Sequence, residues 1–234
     1  MINSTNNETI ILYSKLKDKK YRDQEGIFIV EGKHLVEEAI KNNIVKVIFS
    51  TCDYPNSIKV SDKVMKKLSS LNTPPEVLAV CYKLKEKEID GNILILDGIQ
   101  DPGNLGTIIR TCVAFNVKNI VASLDTVDIY NPKVIRASEG MIFKINYLKR
   151  DLKTFISSLK DYQIYTTNVV NGININDIKL VSKYALIMGN EGNGVRSDIA
   201  SYATKSIYIP MNKDCESLNV SIATSIILYE FNKQ

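Results

Sequence analysis

Short apolar runs alternate along this chain with stretches whose apolar residues recur every three or four positions, which predicts strands and helices in turn. In the first third, Ile27 to Val30, Val45 to Phe49 and Val77 to Tyr82 read as strands. Glu8 to Lys20 reads as a basic helix, and His34 to Lys41 as a helix with Leu35, Val36, Ala39 and Ile40 along one side. Ser61 stands where an N-cap would open a helix through Leu68. Further on, Asn92 to Leu96, Asn119 to Ala122, Gln163 to Thr167, Tyr184 to Met188 and Ser206 to Ile209 read as strands separated by helical segments. That is the pattern of a mostly parallel sheet covered on both faces. Asn104 precedes a helix with Leu105, Ile108, Ile109, Cys112 and Val113 on one side and Arg110 away from it, and Pro132 suits a first helical position. The last helix, Leu218 to Phe231, is apolar almost all round, so it needs cover from the sheet or from a second subunit.

Between the two regions, Lys83 to Asp90 (KLKEKEID) alternates charges and has little to bury, as a solvated connector does. The fold class is therefore α/β, with a small first domain over residues 1–83, a linker over 84–91 and a larger domain over 92–234. A chain of 234 residues, 44% apolar and 24% charged, is long enough for that plan. The net charge of +4 suits a polyanionic partner without requiring one. Cys52, Cys81, Cys112 and Cys215 are far apart, with no C-x-x-C and only His34 as an imidazole partner, which argues against a metal site or a disulfide framework. No run approaches the roughly 20 apolar residues of a membrane span, and Met1 to Asn7 lacks the apolar stretch of a secretion signal, so a reducing cytoplasm is the expected location.

Three loops carry the chemistry, each between an apolar strand and a helix. They are Asp101-Pro102-Gly103-Asn104-Leu105-Gly106 with Arg110 behind it, Gly189-Asn190-Glu191-Gly192-Asn193-Gly194, and Ile209-Pro210-Met211 through Ser217-Leu218-Asn219-Val220-Ser221. Ligands of open parallel sheets bind beyond the carboxyl ends of the strands, so the three should converge on one composite site. Gly189, Gly192 and Gly194 allow positive φ and close backbone approach to a ligand, although a glycine loop taken alone is simply a tight turn. The spacing G-x-x-G-x-G matches neither a Walker loop nor a dinucleotide fingerprint, which argues against an NTPase or a nicotinamide enzyme. Glu191 either pairs with a cation or solvates its turn. The Arg110 guanidinium suits a phosphate, or else a surface salt bridge with Asp101. Ser217 reads as an N-cap, Asn219 has less structural purpose, and His34 has no assigned role.

Taken together, these loops resemble the three motifs of the SpoU/TrmH family of RNA 2′-O-ribose methyltransferases, part of the SPOUT superfamily, over Ile93 to Glu230. The resemblance implies a SPOUT domain with a deep trefoil knot that binds S-adenosylmethionine in a bent shape. Backbone at Gly189, Ile209 and Leu218 would hold the adenine, with Thr166, Thr167, Asn168, Met188 and Met211 around it. Arg110 becomes the candidate catalytic residue, as a base, a phosphate clamp or both, with Asn104, Glu191, Ser217 and Asn219 completing a polar wall. It also implies a homodimer and needs no metal. Residues 1–83 resemble the small α/β/α, ribosomal-protein-like RNA-binding domain that precedes such catalytic domains, through Arg22 and Phe28-Ile29-Val30-Glu31-Gly32. The expected substrate is a ribose 2′-hydroxyl in structured RNA, 23S ribosomal RNA ahead of transfer RNA. A non-catalytic RNA-binding assembly factor of the same fold and a Rossmann-type nucleotide enzyme are the competing readings.

Overall fold

The computed structural model describes residues 1–168, 172–180 and 183–233. The chain divides into two compact units, Met1–Lys85 with Asp128–Phe143, and Glu86–Val127 with Lys144–Gln234. A single linker at 84–91 does not foresee the excursion of 128–143 into the first unit. Elements below are numbered in chain order.

In the first unit, helices α1 (Glu8–Ser14), α2 (Lys19–Glu25), α3 (Lys33–Lys41) and α4 (Asp62–Leu68) accompany a four-stranded sheet. Its order is β1 (Ile27–Glu31), β4 (Val77–Tyr82), β2 (Val45–Ser50), β3 (Ser57–Lys59), with β4 antiparallel to both neighbours. One core joins Ile10, Leu16, Ile29, Phe49, Val64, Leu68 and Leu78. Alternate strand residues turn the other way, where Phe28 meets the rings of Tyr130 and Phe143 at 4.7 and 6.5 Å and helix α6 (Pro132–Ala137) packs on β1.

The continuous helix expected from Glu8 to Lys20 is instead broken: α1 gives way to a 3-10 turn, Lys15–Lys17, and Asp18 is extended before α2 begins. Buried Arg22 supplies the reason. Its Nη1 takes the carbonyls of Leu16 and Lys17 at 2.8 and 2.7 Å, and its Nε and Nη2 hold Asp128 at 3.1 and 2.7 Å. Those carbonyls satisfy a buried guanidinium in place of further helical amides. Ser61 stands at the α4 N-cap without making a capping bond, and Ile40 is exposed rather than part of the buried side of α3.

The second unit is built on a seven-stranded, wholly parallel sheet. Its order is β7 (Asn146–Lys149), β6 (Asn119–Ala122), β5 (Ile93–Asp97), β10 (Tyr184–Gly189), β8 (Gln163–Thr167), β11 (Lys205–Tyr208), β9 (Ile173–Asn174). Every residue of β5 and β10 is buried, as two-sided cover of a parallel sheet requires. On one face, Ile93, Ile95, Ala185 and Ile187 pack with Leu152 and Ile156 of α7 (Leu152–Ser158) and Ile199 of α8 (Ser197–Ala200). Tyr165 and Tyr184 point to the other face, where Phe231 of α9 (Val220–Phe231) lies edge-on to both at 5.4 and 5.0 Å. Helix α9 also packs along α5 (Pro102–Ala114), with the Thr111 and Ser225 hydroxyls 2.8 Å apart.

Two helix starts differ from the sequence reading. Asp101, rather than Asn104, caps α5, its Oδ1 accepting the Asn104 amide at 2.8 Å. Asn219, rather than Ser217, caps α9, its Oδ1 accepting the amides of Ser221 and Ile222 at 2.9 and 3.4 Å. Among the described residues no helix is long and apolar enough to cross a membrane, and all four cysteines are free.

Candidate functional site

The carboxyl ends of β10, β8 and β11 open into a cavity of about 260 Å³. Its walls carry Thr167, Asn168, Met188, Gly189, Ile209, Met211 and Leu218, seven of the eight residues expected around a cofactor, together with Glu191 and Ser217. Asn190, part of the glycine loop read from the sequence, also lines it, as do Ile207 and Tyr208, to which the sequence reading gave no part in the site. Thr166, expected beside them, does not line it, and its buried hydroxyl has no hydrogen-bond partner among the described residues. The walls are apolar at Met188, Ile207, Ile209, Met211, Leu218 and Val220, with a polar margin, the mixture that suits a purine ring and a short polar chain.

The Gly189–Gly194 loop is tightly folded. A Cβ at Gly189 would lie 2.1 Å from the backbone of Gly194 and Val195, so the side-chain-free residue is required by the loop folding back on itself. Asn190 and Gly194 exchange backbone hydrogen bonds at 3.0 and 2.9 Å, with Gly194 at φ +69°. The Asn190 side chain accepts the Gly192 amide at 2.8 Å and donates to the Gly98 carbonyl at 2.8 Å. Of the three glycines read as candidates for positive φ, Gly194 alone adopts it.

Three of the polar residues form one directional chain. Glu191 Oε1 accepts Asn104 Nδ2 at 2.9 Å, and Asn104 Oδ1 accepts Asn219 Nδ2 at 3.0 Å. Asn219 Oδ1 then accepts the Ser221 hydroxyl at 2.6 Å as well as the amides that open α9. A carboxylate at the start can only accept, which sets the orientation of both amides. Glu191 thus has a partner beyond solvent, and Asn219 serves both the chain and the helix. Ser217, freed from capping, lies in the cavity wall.

Arg110 stands apart from this chain, exposed on the face of α5 that also carries Gly103 and Thr107. The salt bridge with Asp101 does not form, because the Asp101 carboxylate caps α5; among the described residues Arg110 has no ion-pair partner. Two further residues went unnoticed in the sequence. Buried Asp97, at the end of β5, accepts the Arg196 amide at 2.9 Å and Nε at 2.8 Å, with Nη2 also in contact. The hydrogen bond to Asp97 raises the Arg196 pKa above its usual value. Among the described residues no cluster of His, Cys, Asp and Glu could hold a metal.

Comparison with known proteins agrees with this geometry. The family model described as the SpoU rRNA Methylase family matches residues 91–229, and one described as the MRM3-like substrate binding domain matches residues 7–79. The chain is 34% identical to the 23S rRNA (guanosine(2553)-2′-O)-methyltransferase of Bacillus subtilis, over 97% of both chains. It is 29% identical to a 23S rRNA (guanosine-2′-O-)-methyltransferase of Neisseria meningitidis, over 90% of this chain and 85% of the relative. The crystal structure of an AdoMet-bound rRNA methyltransferase from Sinorhizobium meliloti superimposes with a TM-score of 0.88 at 26% identity, over 99% of this chain and 97% of that one.

Proposed function

Because this chain belongs to the SpoU rRNA methylase family, we propose that it transfers the methyl group of S-adenosylmethionine to a ribose 2′-hydroxyl of 23S ribosomal RNA, at a guanosine. The observation that carries the reading is the cavity itself, in which Gly189, Ile209 and Leu218 stand on three separate strand ends and loops around one space. Among the described residues, the backbone–backbone hydrogen bond between Met211 and Leu218 is Cys215 to Asn212, which leaves the Leu218 amide available to an adenine edge. Met188, Ile207 and Met211 would flank the ring, and Thr167 and Ser217 would meet polar groups of the cofactor.

When bound, S-adenosylmethionine would supply a methyl group already activated by its positive sulfur and would leave as S-adenosylhomocysteine, the 2′-hydroxyl proton passing to solvent as the new carbon–oxygen bond forms. The protein's part is to place the hydroxyl in line with it and to exclude disorder from that arrangement. Glu191 fixes Asn104, and Asn104 fixes Asn219, so that the polar wall is set before RNA arrives. A guanidinium is nearly always protonated and a poor base in water, so Arg110 serves as a clamp on the RNA phosphate beside the target ribose. Its exposure and its lack of a carboxylate partner among the described residues support that role.

The finer architecture belongs to the same proposal. The chain after β11 threads a trefoil knot, in keeping with the likeness to SpoU/TrmH structures and with a cavity built from 188–194 and 207–223. Residues 1–83 bind the RNA substrate, as the substrate-binding family model over 7–79 suggests, and 84–91 link them to the catalytic domain over 92–234. Two copies pair through α9, whose Ile222, Ile226 and Tyr229 are exposed in the single chain at helical spacing. The site of action is the cytoplasm, where ribosomal RNA is found.

The test is transfer of labelled methyl from S-adenosylmethionine to total ribosomal and transfer RNA from cells lacking the gene. We expect label in 23S RNA alone. Arg110→Ala should lower kcat/KM for RNA by about a hundredfold, the cost of misplacing the reacting ribose, with cofactor affinity within threefold. Label in transfer RNA alone would reassign the substrate, and loss of cofactor binding in that variant would reassign Arg110. Cofactor binding with no transfer to any RNA would favour the non-catalytic assembly factor.

A further inference from the structure

The loop that supplies Gly189 to Gly194 begins and ends on one buried carboxylate. Gly189 is the ladder partner of Asp97 where β10 runs beside β5, and the chain returns seven residues later to Arg196, whose amide and Nε donate to the two Asp97 oxygens at 2.9 and 2.8 Å. The Asp97 side chain is fully buried while that of Arg196 is 49% exposed, so the acid is the fixed point and the arginine the strap. Between these ends Asn190 ties to the Gly98 carbonyl, the residue after Asp97. Asp125 stands 3.4 Å from Nη1, on the outer side of the strap.

We infer that Asp97 and Arg196 are positioning residues that hold the cofactor loop in its closed shape, so that the Gly189 backbone and the Glu191 carboxylate arrive in the cavity together. This rests on the proposed methyltransfer reading, but it concerns residues with no contact to the cavity: neither Asp97 nor Arg196 lines it. An oriented fork against a buried carboxylate fixes direction as well as distance, which a lysine cannot reproduce. The loop's own bonds fold it, while the Asp97 clasp joins the folded loop to the sheet.

Arg196→Lys keeps the charge and the backbone donor and removes the fork. Its KM for S-adenosylmethionine should rise about tenfold, the worth of one charge-assisted hydrogen bond, with kcat and the KM for RNA within threefold of the unmodified enzyme. Hydrogen exchange of the amides of 190–195 should quicken in the same variant, while that of β10 stays slow. If the variant is too unstable to assay, Asp97→Asn combined with Arg196→Gln removes both charges at once, leaves no buried ion unpaired, and should show the same split. A lowered melting temperature with KM and loop exchange unchanged would overturn the inference. Exchange and S-adenosylhomocysteine binding need no RNA, so they decide the clasp even if the proposed methyl transfer is not found.

Discussion

Two loops line the cavity and are built on opposite principles. The segment from Gly189 to Arg196 is closed by paired backbone bonds between Asn190 and Gly194, by the Asn190 side chain and by the Asp97 clasp. Among the described residues, the segment from Pro210 to Ser217 has one backbone bond, Cys215 to Asn212 at 3.0 Å, with the Asp214 amide also donating to the Asn212 side chain. Both contribute walls to the same space. The first is set before any ligand arrives, whereas the second keeps its free amides, and with them the conformational freedom that binding must remove. A rigid wall gives the cavity its shape, and a looser one lets a bent ligand enter and then be covered.

Gly189→Ala gives the largest effect and tests the rigid side. The new Cβ would fall 2.1 Å from the backbone of Gly194 and Val195, which cannot move without opening the loop. We expect cofactor affinity to drop by at least about a hundredfold, as for a misplaced binding surface, in a protein whose circular dichroism is unchanged. Affinity within threefold would show that the loop tolerates opening and that the contrast between the two walls is false.

Asn219→Ala acts where the two sides meet. It removes the cap of α9, at about 1 kcal/mol, and cuts the chain from Glu191 through Asn104. For a chain of this size that cost lowers the melting temperature by roughly 2–4 °C. Asn219→Asp should restore most of the stability, because a carboxylate also caps, but it cannot donate to Asn104 Oδ1. We expect transfer in both variants to fall about tenfold or more, as loss of an oriented hydrogen bond does. If the aspartate variant recovered full activity along with stability, the relay would have no part in the reaction.

How much of this could be read beforehand follows the same division. The buried strands were legible because β5 and β10 are apolar at every position, and the glycine loops announced themselves by composition. Strand β7, Asn-Tyr-Leu-Lys, was missed because an edge strand with mixed polarity lacks an apolar run, and the two-residue β9 is too short for any pattern. The helix starts went wrong by a few residues, since Asp101 and Asn104, or Ser217 and Asn219, are equally good caps as letters and only the chain path chooses between them. The Asp97–Arg196 pair spans 99 residues and leaves no local trace. Likewise, nothing in the run Asp128 to Phe143 says that it packs against β1 of the first unit.

The smallest expected effect probes the looser wall with its own thiol. Cys215 is exposed in the Pro210–Ser217 segment, and its Sγ donates to the Ser217 carbonyl at 3.3 Å. Cys81 and Cys112 are buried, and burial pushes the Cys81 thiol up to about 12 and Cys112 upward as well, so neither offers a thiolate near neutral pH. Iodoacetamide should therefore modify Cys215 well before either of them. If binding orders the loose segment, S-adenosylhomocysteine should slow Cys215 labelling by about threefold to tenfold, while amides of 190–194 show little change in hydrogen exchange. The reverse pattern, protection confined to 190–194 with Cys215 labelling unaffected, would mean that the densely bonded loop is the one that adapts. Arg196 would then clasp a moving part, and the preorganised wall would have to be sought in the segment after β11.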